Sequence, residues 1–337
     1  MNYGLWVIVK NLYRLYDEFR ELLFFTRYFE WHPGKIPFIF GLLFMLGPSI
    51  VTTTEVFRWY VIVTLFLAFA YMLNNVADIG IDEKIGKSYQ LLHWSLQAKY
   101  GATFAVGIIG FLISLYTLDF FAIIAFGGCY ILAWSYSFPP RFKESIWLGP
   151  IVASVGQLCA PAIMILIANR IISADLILYI LIMFLYGLRM IFVHQIFDRD
   201  NDAATGVKTT VLHIGLENSR KLLKNLFALE FTLVLFLMFQ LYLGRVPVFV
   251  LLTSIIPSVH YAIRVFYRLR ISLEDYEYIP LADFYEAILP FMLAVSLFVQ
   301  SEGKAWWAPV IVILIASRRS WDRFSSTFYG IKKHERA

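Results

Sequence analysis

Charge is scarce in this sequence. Asp, Glu, Lys and Arg make up 16% of its 337 residues, where soluble domains carry about 25%. That shortage argues against a large soluble core. Cysteine is scarcer still. Cys129 and Cys159 both lie inside apolar runs, so they read as buried free thiols rather than as a disulfide framework or metal ligands. The opening stretch, MNYGLWVIVKNLYRLYDEFRELLFF, lacks a signal-peptide cleavage pattern. Its interleaved apolar and charged residues are expected to form an amphipathic helix at the membrane interface, within a segment covering 1–32.

What the chain has is apolar length. Hydrophobic residues make up 60% of it, with 31 Phe and 20 Tyr. Runs long enough to cross a bilayer recur at 36–53, 59–77, 100–117, 119–137, 147–168, 174–196, 222–243, 247–266 and 282–299. No soluble domain remains between them. The expectation is therefore one all-α domain over 1–337, a polytopic membrane bundle of nine core helices. A shorter apolar piece at 305–317 reads as a tenth crossing, or as a re-entrant or interfacial segment.

The net charge of +5 calls for no nucleic acid; excess Lys and Arg in a membrane protein mark cytoplasmic loops. Basic-rich and basic-poor loops alternate along the chain. The N-terminal segment holds Lys10, Arg14, Arg20, Arg27 and Lys35, and the loops after spans two, four, six and eight are also basic. The N-terminus and those loops should face the cytoplasm. The basic tail, 318–337, carries the same signature.

The chemistry gathers where spans end. After FRWYVIVTLFLAFAYML comes NNVADIGIDEKIGK, residues 74–87, in which Asn74, Asp78 and Asp82 stand four apart. Four residues are about 400° of helix, so the three share one face, each about 6 Å above the last. The stretch HQIFDRDNDAATGVK, 194–208, repeats this with His194, Asp198 and Asp202. In both, a glycine follows four residues later (Gly86, Gly206) and a lysine soon after (Lys87, Lys208); Lys84 joins the first row. Both rows follow even-numbered spans and so share the cytoplasmic side. This is an internal repeat of a site.

Such rows suit Mg²⁺, which takes a few carboxylates and completes its shell with substrate phosphate oxygens. An EF-hand in DRDND fails, because Ala203 stands where the turn glycine is needed and Thr209 where the bidentate Glu is needed. Asp200 falls about 200° from Asp198 and should meet water. His194 is a metal or diphosphate contact, or a polar neighbour. A third polar station, YSFPPRFKE at 136–144, follows span four; Pro139 and Pro140 end that helix and place Arg141 and Lys143 beside the same opening. Arg189, Glu230, His260, Asp283 and Glu286 lie in or beside apolar spans. There an ionisable group is functional or paired across helices, and Arg189 reads as the partner of an acid on a neighbouring helix.

These residues resemble the UbiA superfamily of intramembrane prenyltransferases. Its first motif, Asn-x-x-x-Asp-x-x-x-Asp, is matched by Asn74, Asp78 and Asp82, and its second, Asp-x-x-x-Asp, by Asp198 and Asp202. YSFPP is similar to the Tyr-containing loop of the branch that includes chlorophyll synthases and related lipid and quinone prenyltransferases, which brings in Tyr136. The resemblance implies nine helices around a central cavity open sideways to lipid, with Mg²⁺ held by the five motif residues. It also implies an isoprenyl diphosphate donor; from their places beside the two rows, Lys84, Lys87, Tyr136, Arg141, Lys143, His194 and Lys208 are the expected contacts to it, although the family's Tyr-loop bases stand at other offsets than Arg141 and Lys143. Asp78, Asp82, Asp198 and Asp202 would be catalytic through the metal. IGKSYQLLHW stands where many members have an Asn-Arg-Pro stretch. A hydrophobic acceptor from the bilayer is therefore expected, with membrane lipid as the surroundings and no obligate protein partner. Two rivals remain: a terpene cyclase on the same scaffold, and a divalent-cation or phosphate-lipid transporter.

Overall fold

The computed structural model describes residues 3–83, 94–243 and 281–316, together with Ile255 and Val259. Among these residues the chain is helical, with no strand. Its helices are α1 (Tyr3–Phe25), α2 (Tyr28–Met45), α3 (Thr53–Asp82), α4 (Leu96–Thr117), α5 (Phe120–Ser137), α6 (Leu148–Ser154), α7 (Ala160–Asn169), α8 (Ala174–Thr205), α9 (Thr210–Ile214), α10 (Leu216–Leu243), α11 (Leu289–Gln300) and α12 (Trp307–Ile315). A π turn, Val155–Cys159, joins α6 to α7, and another, Phe284–Ile288, leads into α11.

Six stretches among the described residues are long and apolar enough to cross a membrane: 53–80, 96–117, 120–137, 148–169, 174–205 and 216–243. Phe284–Gln300 is a shorter apolar helix. The expected span 247–266 lies outside the described residues except for Ile255 and Val259, both helical; the tail 318–337 lies outside them entirely. The α12 helix has nine residues, about 13 Å of rise against a hydrocarbon core of about 30 Å. Taken alone it cannot cross.

The first span sits earlier than the apolar run suggests. The α2 helix starts at Tyr28 and runs through Pro33 and Pro37, so residues 28–32 belong to the bundle rather than to the amphipathic segment. Proline is tolerated inside membrane helices because neighbouring groups satisfy the freed carbonyls. Past the helix end, Gly47 turns the chain in the left-handed region at φ 85, which suits glycine. Ile36 to Phe44 are all buried, as expected of a helix that is apolar all round. This helix is the centre of the bundle and packs on α3, α8, the second π turn and α11.

At the periphery α4 turns Thr103, Gly107, Gly110 and Ser114 inward and exposes Ile108, Ile109, Leu112 and Tyr116. Small residues let membrane helices approach closely. A Cβ on Gly110 would stand 3.1 Å from Leu65 Cβ and 2.9 Å from the Tyr130 hydroxyl. Gly110→Leu is accordingly expected to cost about 1–3 kcal/mol by overpacking, read as a lower melting temperature in detergent; an unchanged melt would contradict this packing. The α1 helix exposes Leu12, Tyr13, Leu15, Tyr16 and Phe19 and is tied down at its end, where the Asn75 amide donates to Phe25 O at 2.6 Å.

Candidate active site

Both acidic rows remain helical. On α3 the row ends the helix at Asp82. On α8 it lies wholly within the last turns, and Gly206 closes the helix in the left-handed region at φ 73. Asn74, Asp78, Asp82, Asp198 and Asp202 all line one cavity of about 210 Å³, together with His194, Arg141 and Lys143. The chain therefore brings both motifs to a single opening. Asp200 points away from it, 87% exposed and paired with Arg199. The continuous helix also leaves no room for an EF-hand loop.

The loop after α5 supplies the positive charge. Arg141 takes a left-handed backbone at φ 57, and a single 3₁₀ turn, Phe142–Glu144, follows it. The bend returns both bases to α3. Arg141 Nη2 donates to Asp78 Oδ1 at 2.9 Å, and the Lys143 ammonium donates to Asp78 Oδ1 and, at 3.1 Å, to Asn74 Oδ1. Burial lowers the Lys143 pKa, and the Asp78 charge opposes that shift. The second row is more open: His194 Nδ1 lies 3.4 Å from Asp198 Oδ2. Tyr136, in the last turn of α5, lines the same cavity. Lys208 is exposed beyond Gly206 and does not line it. Lys84 and Lys87 lie outside the described residues.

Among the described residues no three Asp, Glu, His or Cys side chains converge closely enough to hold a metal ion by themselves. The donors are still right for Mg²⁺: carboxylate and amide oxygens in two half-sites facing one space. That is the arrangement expected when substrate phosphate oxygens complete the shell.

Beneath this polar cap a second cavity of about 250 Å³ continues into the bundle, sharing Arg27, Asn74, Tyr136, Ile191 and His194 with the first. Its walls include Phe66, Leu132, Val152, Leu158 and Met190. Phe38, one turn along α2 from Gly34, packs against Tyr179, Tyr186 and Tyr285 with ring centroids 4.9–5.6 Å apart. Lys35, Tyr71 and Gln157 also line this cavity. Sequence reasoning passed over them as site residues, although Tyr71 lies three residues before Asn74 on its face and Gln157 is the one amide inside its apolar span. Arg189, expected to pair with an acid, does so: it forms two 2.8 Å bonds to Glu230 with both residues fully buried.

The UbiA prenyltransferase family matches residues 35–275, and the chain belongs to it. Among curated protein sequences none matches. Solved structures of the same fold include a UbiA homologue from Archaeoglobus fulgidus bound to GPP and Mg²⁺, 17% identical, covering 84% of this chain and 99% of its own, with a TM-score of 0.63. A UbiA homologue from Aeropyrum pernix K1, without ligand, is 14% identical over 79% of this chain and 96% of its own, at TM-score 0.57. A digeranylgeranylglyceryl phosphate synthase is 15% identical over 85% and 98%, at TM-score 0.54. The protein is a multi-pass, all-helical membrane protein of the UbiA fold.

Proposed function

We propose that this protein transfers an isoprenyl group from an isoprenyl diphosphate to a hydrophobic acceptor drawn from the bilayer, releasing diphosphate. One observation carries the reading: both acidic rows open onto one cavity, and that cavity continues into a partly apolar one. A diphosphate and its tail are then satisfied in a single pose. Asn74, Asp78, Asp82, Asp198 and Asp202 would hold Mg²⁺. When bound, the metal neutralises the charge that develops on the leaving diphosphate. Arg141 and Lys143 stand ready to take part of the same charge, with Tyr136 and His194 at the junction of the cavities. The C1–O bond breaks with its electron pair on the diphosphate, and the acceptor's electron pair forms the new bond at C1. The acceptor's proton passes to the departing diphosphate or to water at the open cap. The structures of the A. fulgidus homologue with GPP and with DMAPP, each with Mg²⁺, support this donor and metal.

The single domain would lie with its N-terminus and polar cap on the cytoplasmic side. Labelling tests this. Cysteines at Lys84, Lys143 and Lys208 should react from the cytoplasm, and cysteines at Glu55, Arg170 and Arg245 from the opposite side, following the basic-loop alternation. Opposite labelling of the 84 and 208 positions would contradict a shared site.

A transporter needs polar residues through the depth of the bilayer, whereas the two acidic rows gather at one edge of the bundle, in a single cavity, which favours an enzyme. Product analysis separates transferase from cyclase. Incubation of the purified protein with Mg²⁺ and radiolabelled geranylgeranyl diphosphate should prenylate a component of native lipid extract and leave soluble hydroxybenzoates largely untouched. Release of a cyclic hydrocarbon without acceptor would identify a cyclase.

A further inference from the structure

The Lys143 ammonium stands where the first acidic row offers its oxygens to a cation. It donates to Asn74 Oδ1 at 3.1 Å and to Asp78 Oδ1, so it bridges two of the residues read as metal ligands. The Lys143 side chain is 12% exposed and that of Asp78 19%, and a charge so far from water needs such partners. Arg141 is bound differently: it shares Asp78 Oδ1 at 2.9 Å but is also paired with Glu144, three residues on. The backbone that carries Lys143 is held from two sides. A Cβ on Gly149 would stand 2.9 Å from Lys143 O and 3.1 Å from Phe142 O, so the 3₁₀ turn rests directly on the start of α6. The Thr210 hydroxyl of α9, just past the second row, donates to Ile146 O. The part able to move is the lysine stem, four methylenes ending in a rotatable ammonium.

Charge decides what can share this place. A divalent cation held by Asn74 and Asp78, and an ammonium bonded to the same two oxygens, would be like charges at close range and largely away from water, which is costly. The two therefore compete. An ion arriving alone must break both Lys143 bonds and strip the ammonium of its acceptors. A diphosphate changes the balance. Its oxygens accept charge-assisted hydrogen bonds, which gives Lys143 a new partner within the cavity it already lines. They also supply the ion with further ligands.

We propose that Lys143 is a positioning residue that fills the cation position of the first row and yields it only to a cation that comes with a diphosphate. The inference rests on the transferase reading above and adds an order to it: the donor's diphosphate draws Lys143 away, and the row is then open to the ion. The test counts free Mn²⁺ by electron paramagnetic resonance, using the full chain in lipid nanodiscs. Mn²⁺ is titrated alone, then with the inert donor analogue geranylgeranyl thiolodiphosphate. Lys143→Gln removes the charge and keeps a donor; Lys143→Met removes both and takes its place if the first variant fails to fold. The variant should bind Mn²⁺ alone about tenfold more tightly than the native protein, since the competing charge is gone. The factor by which the analogue raises Mn²⁺ affinity should shrink about tenfold, because that coupling runs through Lys143. A merely structural role would instead weaken the binding of Mn²⁺ alone. Unchanged or weaker binding of Mn²⁺ alone, or an unchanged or larger effect of the analogue, would overturn the proposal. Failure of the native protein to bind the analogue in a Mn²⁺-dependent way would instead defeat the transferase reading, so the two failures are distinguishable.

Discussion

Asp78→Ala and Asp198→Ala should each reduce prenyl transfer by at least about a hundredfold, the scale seen when one preorganised electrostatic contact to a developing charge is lost. Each removes an oxygen donor from one of the two rows. Because no three acidic or imidazole groups among the described residues suffice alone to hold an ion, neither row should compensate for the other. The protein should stay folded. Asp198 sits at a solvent-reaching helix end, 28% exposed beside a half-exposed His194, where pairing contributes only about 0–1 kcal/mol, so its variant should melt close to the native protein while failing in the assay. Asp78 also holds Arg141 and Lys143, so its variant should melt somewhat lower and fail equally in the assay. EDTA should abolish transfer reversibly. Near-native turnover in either variant, or in chelator, would contradict the metal–diphosphate mechanism.

The second large effect concerns stability. Glu230→Ala should destabilise the bundle by about 3–5 kcal/mol, since it leaves a charge without its partner in the interior. Arg189 and Glu230 share two hydrogen bonds at full burial, and the guanidinium also lies 5.5 Å from the ring centroids of Tyr186 and Phe227. The pair fastens α10 to α8, the helix that carries the second acidic row. The double variant Arg189→Met with Glu230→Leu should recover most of the loss, because well-packed apolar residues often replace a buried pair at no cost. Unfolding in graded SDS measures both. A single variant no weaker than the double would show that the pair is not what joins the helices.

The acidic rows were legible in the sequence because their chemistry is local. Asn74, Asp78 and Asp82, like His194, Asp198 and Asp202, need only the helical period to share a face, and that period holds to the ends of α3 and α8. The Arg141–Lys143 loop was legible in part. Pro139 and Pro140 announced the turn, but that both bases would converge on Asp78 depends on the left-handed backbone at Arg141, which no periodicity encodes. Lys208 resembled Lys87 in sequence, yet the turn at Gly206 sends it outward. The deeper cavity was the least visible. Lys35, Tyr71 and Gln157 lie on three separate elements, and Gln157 sits in a π turn that interrupts the 3.6-residue period. The start of α2 was hidden too: the amphipathic segment was expected to end at 32 and the first span to begin at 36, past Pro33, whereas the interior of a bundle tolerates proline within a helix.

The central claim is that two half-sites on α3 and α8 become one site when a diphosphate joins them. Electron paramagnetic resonance of Mn²⁺ substituted for Mg²⁺, with phosphorus hyperfine coupling read by electron–nuclear double resonance, tests it directly. The account predicts that Mn²⁺ binds tightly only with geranylgeranyl diphosphate present, shows direct coupling to its phosphorus, and loses that signal in Asp78→Ala and in Asp198→Ala alike. Tight Mn²⁺ binding without diphosphate, or a phosphorus-coupled signal that survives removal of either row, would contradict it.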